Sequence, residues 1–240
     1  MAVNNPLRRS ADDRLVDRLK QTGPCTWLLL ALVLLLLMFP FLDASFTGRM
    51  LLGILNSTVL VAAALAASES RRTLLFAVAL ALPALALQWM SVVNPTPTIN
   101  LILGVTGIVF YGFTIGHLVA FVLRPGAVTG NKLHGAIDAY ILMGFLWAMI
   151  YVVIEDRASG SFNFASGDTA AAHHLPQLLF FSFTTLTTTG YGDTVPVTAY
   201  AQSAVVIEQL AGTFYVAILI ARLAGLYHPA TRGGGPPDHH

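Results

Sequence analysis

The chain has 240 residues, of which 55% are hydrophobic and only 10% charged, with a formal net charge of +1. A water-soluble domain carries about 25% charged residues, so this composition excludes a globular protein solvated on all sides and points to lipid as the solvent. The net charge says nothing about nucleic acid, but no Lys/Arg run is interleaved with aromatics, which sets nucleic acid aside as a partner. Cys25 is the single cysteine, so there is no intrachain disulfide framework and no cysteine-based metal site.

The N-terminal arm, residues 1–24, alternates charge signs around Leu15, Val16 and Leu19 and reads as a short helix on a membrane surface. Six apolar stretches then approach the roughly 20 residues that cross a hydrocarbon core of about 30 Å: 25–42, 50–67, 73–93, 99–123, 135–154 and 198–226. The first lacks a clean small-residue cleavage site, so it is read as a span and not a signal peptide. Basic residues collect on the cytoplasmic side of spans. With the N-terminus inside, Arg8, Arg9, Arg14, Arg18, Lys20, Arg71, Arg72, Arg124, Lys132, Arg222 and Arg232 all fall inside, and only Arg49 and Arg157 of the 13 fall outside. Both termini are therefore expected in the cytoplasm of a multi-pass plasma-membrane protein.

Spans one to four form residues 25–123. The fourth holds no Arg or Lys, which excludes a helix that carries basic residues through a transmembrane field. Within spans one to four Gln88 and His117 are the notable polar groups, and His117 is expected to be a hydrogen-bonded interior residue. A cytoplasmic linker, 124–134, leads to the fifth span, where His134 and Asp138 lie one helical turn apart and are expected to pair.

Between the last two spans lies HHLPQLLFFSFTTLTTTGYGDTVP. Pro176 suits a first helical turn. Residues 176–187 are too short to cross, since twelve residues make roughly 18 Å of helix. The chain must then return through 188–192. Irregular backbone survives at membrane depth only where protein buries it or it lines a wet path, and Gly190 and Gly192 permit backbone angles other residues avoid.

Thr188-Thr189-Gly190-Tyr191-Gly192-Asp193 resembles the selectivity filter of potassium channels, T-V-G-Y-G-D. Pro196 continues the family's pattern, and residues 135–154 and 198–226 resemble the outer and inner helices of bacterial two-helix pore domains. The resemblance covers about 130–228. It implies an all-α transmembrane homotetramer: six spans, a re-entrant pore helix (176–187), a filter (188–192) and a short cytoplasmic tail (227–240). It implies passive K⁺ conduction, with K⁺ as the permeant ion, no catalytic residues, no enzyme activity, no cofactor and no other metal. Carbonyls of Thr188, Thr189, Gly190 and Tyr191, with Gly192 beside them, would meet the ion. Thr213, Val216, Ile220 and Ala224 would face the cavity or gate.

The chain departs from the family at three places. Thr189 replaces Val or Ile. Phe180 and Phe181 replace a bracing Trp pair. Thr184 stands where some relatives pair a Glu with the aspartate, here Asp193. These departures leave a weakly selective cation channel as the alternative. Glu208, near mid-membrane, either holds the last span through hydroxyls such as Thr184 or Thr185, or titrates and couples pH to conduction. Gly212 is either a hinge or a site of close helix packing. Glu155, Asp156, Asp168 and Asp193 are expected to form an acidic outer mouth. His173 and His174 read as a solvated loop, with metal or pH sensing the alternative.

Overall fold

A computed structural model describes residues 23–38, 46–67, 71–126, 129–165 and 174–226. The helices are α1 (Pro24–Met38), α2 (Phe46–Ala66), α3 (Arg71–Val93), α4 (Pro97–Leu123), α5 (Gly130–Arg157), α6 (His174–Leu186) and α7 (Ala199–Leu226), with two three-residue strands, β1 (Phe162–Phe164) and β2 (Thr194–Pro196). Among the described residues, five helices, α2 to α5 and α7, are long and apolar enough to cross a membrane. The described part of α1 is 15 residues long; the rest of its expected span, 39–42, lies outside the described residues, as do the N-terminal arm and the tail.

Local chemistry sets the helix ends. Thr96 caps α4 by accepting from the Ile99 amide at 3.3 Å, with Pro97 at the first helical position, where its missing N–H costs nothing. Arg124 then turns extended (φ −61°, ψ 140°) because Pro125 forbids a helical predecessor. The Arg124 carbonyl at this helix C-terminus accepts from Lys132 Nζ at 3.0 Å and Arg222 Nη2 at 3.1 Å, placing two cations at the negative end of α4. The ends of α4 and α7 and the start of α5 thus meet at one end of the molecule.

Of the four N-terminal helices, α1 and α4 pack directly onto α5, and α2 and α3 pack onto α1 and α4. Cys25, Leu28, Leu32 and Leu35 bury one stripe of α1 in a core shared with Ala139 and Leu142 of α5 and Phe110 and Leu118 of α4. Polar ties fix that contact: the Cys25 amide donates to Asn131 Oδ1 at 3.3 Å, and Thr26 Oγ1 lies 2.8 Å from His134 Nδ1. At Gly104 an added Cβ would sit 2.8 Å from Val153 Cγ2, so α4 and α5 approach closely there. β1 and β2 pair antiparallel, with Phe162 opposite Pro196 and Phe164 opposite Thr194. The chain therefore leaves for α6 and returns from it at the same end of the molecule. The sequence reading contained no strands here.

Candidate functional site: the short helix and the TTTGYGD row

α6 has 13 residues, about 20 Å at 1.5 Å per residue. It is seated on α5 through a stripe that recurs at helical spacing on that helix: Tyr140, Gly144 and Tyr151. Tyr151 packs on Phe162 at 5.2 Å and on Phe181 at 5.5 Å between ring centroids. Gly144 lets the Phe183 ring approach the backbone closely; a Cβ there would be 2.6 Å from its Cε1. At the far end of α6, Tyr140 OH donates to the Leu186 carbonyl at 3.0 Å, satisfying one of the carbonyls that a helix C-terminus leaves open.

Glu208 of α7 is fully buried behind α6. Ser182 Oγ reaches its Oε1 at 2.6 Å and the Gly144 carbonyl at 2.9 Å, and Tyr151 OH donates to Oε2. A buried acid without such partners would be strongly unfavourable. These partners correct the expectation of Thr184 or Thr185: Thr184 Oγ1 turns back to the Phe181 carbonyl at 2.9 Å. One residue ties α5, α6 and α7 together.

After α6 the backbone changes character. The amides of Thr189 and Gly190 both donate to the Thr184 carbonyl, at 2.8 and 3.1 Å, and the Thr188 amide to Thr185 at 3.0 Å. φ is positive at Thr188 (60°), Gly190 (58°) and Gly192 (78°), every second residue. For a β-branched threonine this conformation costs on the order of 1–3 kcal/mol, so the local fold holds it against its own preference. Thr188 is the one non-glycine with positive φ among the described residues. Thr187 Oγ1 lies 2.9 Å from Thr189 Oγ1. The Tyr191 ring stacks on Phe180 at 5.7 Å with 9° between planes, so Phe180 braces the row by stacking, while Phe181 serves the core.

Asp193 Oδ1 accepts from the Thr194 amide at 3.0 Å, and its carbonyl accepts from Ala165 at 2.8 Å. It is held by its own turn and by the β1 side, with no bond to Thr184. Glu155 corrects the acidic-mouth reading. It is buried and accepts from the Gly160 amide at 2.7 Å and the Phe162 amide at 3.0 Å, so it fixes the turn into β1 instead of facing solvent. Asp168 and His173 lie outside the described residues, as does the side chain of His174.

On α7, a Cβ at Gly212 would lie 2.7 Å from the Leu186 carbonyl oxygen. The close-packing reading of Gly212 thus has a direct partner, the end of α6. Thr213, Val216 and Ile220 are exposed in the single chain; the side chain of Ala224 is outside the described set. His117 is part-buried and within 3.0 Å of the Phe113 carbonyl, as expected. His134 and Asp138 do not pair: His134 binds Thr26, and both Asp138 carboxyl oxygens are buried with no partner among the described residues. The sequence reading missed Tyr140, Tyr151 and Ser182. Their signal was present, since Tyr140 and Tyr151 are eleven residues, three helical turns, apart and share a face with Gly144.

No curated protein and no solved structure matches the chain. Residues 139–227, which hold most of α5, all of α6, the TTTGYGD row and all of α7, match the family model described as "Ion channel", and this match supports ion-channel function for the chain.

Proposed function

We propose that the chain is one quarter of a homotetrameric channel that conducts K⁺ passively across the cell membrane, with residues 188–192 as its filter. The observation that carries this reading is the positive φ at alternate residues 188, 190 and 192. In a strand every residue has the same hand, and successive carbonyls point to opposite sides. Reversing the hand at every second residue brings them to one side. Four such rows about an axis would stack rings of carbonyl oxygens that replace the water shell of K⁺. The C-terminal end of α6 would direct its partial negative charge at the centre of the membrane, again favouring a cation.

One loop makes a quarter of a ring, so the reading needs four chains. The inner helix supports it: only 17% of the apolar window of α7 is buried in the single chain, against 44% for α5. A helix this bare at the centre of the site needs neighbours. The cluster of Lys132, Arg222 and Arg124 at one end supports a cytoplasmic assignment for that end, and the β1–β2 pair would then lie outside. With no basic residue on α4, opening is not driven by conventional gating charges.

A second reading, a weakly selective cation channel, draws on Thr189 and Asp193. The hydroxyl contact of Thr189 and the local hydrogen bond of Asp193 leave the row without a polar tie from Asp193 to α6. Purified protein in liposomes tests both readings. Flux driven by a K⁺ gradient should exceed Na⁺ flux by at least about tenfold, and Gly190→Asp and Tyr191→Ala should each abolish it. Equal K⁺ and Na⁺ flux would select the second reading. Flux that survives both substitutions would reject the filter assignment.

A further inference from the structure

A cavity of about 260 Å³ lies among the four N-terminal helices and reaches α5 and α6. Its walls are apolar, including Leu103 of α4, Phe145 and Met149 of α5 and Leu179 of α6. Its floor is polar. Asn56 Nδ2 donates to Gln88 Oε1 at 2.7 Å, Tyr111 OH donates to Asn56 Oδ1 at 3.1 Å, and Gln88 Nε2 donates to the Gly53 carbonyl at 2.6 Å and to Ser57 Oγ at 3.3 Å. Gln88 thereby spends both amide hydrogens and is 6% exposed. An amide nitrogen has two hydrogens; that of Asn56, part-buried and lining the cavity, gives one to Gln88, and the other has no acceptor among the described residues. Gly107 also lines the cavity, one turn before Tyr111 on α4, and a Cβ there would meet nothing within 4 Å.

We propose that this cavity binds a small neutral amphiphile, an apolar body carrying one hydroxyl or carbonyl that accepts from Asn56. Size and polarity select the class. An apolar cavity of about 150 Å³ holds benzene, so this one takes a ring with several added carbons and is below the size typical of drug-sized ligands. The floor contains amides and hydroxyls and no charged side chain, so an ionised group there would lose its hydration without a counter-charge. Arg49 also lines the cavity, on the same helix seven residues before Asn56 and about 10 Å away along the axis, so it does not neutralise a charge placed at Asn56. Leu179 belongs to the short helix that carries the TTTGYGD row, so an occupant touches the seat of that row.

The test uses the full chain in lipid nanodiscs and a diazirine-bearing dialkylphenol as the probe, with adducts mapped by mass spectrometry. Saturable adducts are expected on residues lining the cavity in α2, α3 and α4, displaced by unmodified dialkylphenol. The matching dialkylbenzene, lacking the hydroxyl, should compete about tenfold less well, the loss of one hydrogen bond. Asn56→Ala should weaken labelling by a similar factor. Gly107→Leu should fill the space and reduce it at least about fivefold, and Gly107→Ala gives a smaller, graded loss should the leucine variant fail to fold. Adducts spread over lipid-facing residues and unchanged by either Gly107 variant would overturn the site. Equal competition by the dialkylbenzene would overturn its chemistry. Neither readout depends on ion flux, so failure here is separable from failure of the channel reading.

Discussion

Glu208 shows how one residue can hold three elements at a depth where water does not. Its carboxyl takes Tyr151 from α5 and Ser182 from α6; without it the Tyr151 hydroxyl would be a buried donor with no acceptor, while Ser182 would keep the Gly144 carbonyl. An unsatisfied buried group costs about 1–3 kcal/mol. Glu208→Leu should therefore lower the stability of the purified protein by about 1–3 kcal/mol in chemical denaturation. Glu208→Gln, which keeps one acceptor oxygen, should cost less than half of that; equal losses would show that packing, not hydrogen bonding, sets the role of this residue. Tyr140→Phe removes a single bond to the Leu186 carbonyl and should cost about 1 kcal/mol. At this scale the sequence was a partial guide. An acid inside an apolar span marks itself, but which hydroxyl it meets depends on the rotation of α6 about its axis. One helical turn separates Ser182 from Thr185, and nothing in the local sequence distinguishes them.

At the scale of elements, the glycines separate tight contacts from open ones. Gly212→Ala would push a methyl group against the backbone oxygen of Leu186, 2.7 Å away, which α7 can relieve only by moving off α6. A loss of about 1–3 kcal/mol and reduced flux are expected, as for other overpacked cores. Gly107→Ala meets open space and should instead gain up to about 1 kcal/mol from helix propensity. Thermal melts of the two variants side by side check this, and a loss at both positions would mean that α4 does not hold the contacts described. The long helices were legible because apolar runs bounded by Thr96-Pro97 and Arg124-Pro125 leave little freedom. α6 begins at His174 and ends at Leu186, within two residues of the expected 176–187. The β1–β2 pair was not legible, since three-residue strands carry no periodicity. What creates them is tertiary: Glu155 fixes the Gly160 and Phe162 amides, and the returning chain then pairs with Phe162–Phe164.

For the whole molecule, the first four helices are not an appendage. Their core runs without a break into α5 and α6, while α7 remains largely uncovered in one chain. The row Thr188–Asp193 stood out in the sequence because a motif spanning six positions is rare by chance. The way α1 locks onto α5 was not, because the Thr26–His134 and Cys25–Asn131 contacts join residues more than 100 positions apart. Four copies around α7 would cover the bare helix and complete the rings, so native mass spectrometry from gentle detergent should give a mass of four chains, and a stable monomer would contradict the assembly. The central claim, that residues 188–192 select K⁺, is tested most directly by the reversal potential in a planar bilayer with K⁺ on one side and Na⁺ on the other. The account predicts reversal displaced from zero toward the K⁺ equilibrium potential by more than about 60 mV, a selectivity of at least about tenfold (59 mV per decade for a monovalent charge), and no current from Gly190→Asp. Reversal at zero, with current that persists in Gly190→Asp, would contradict it.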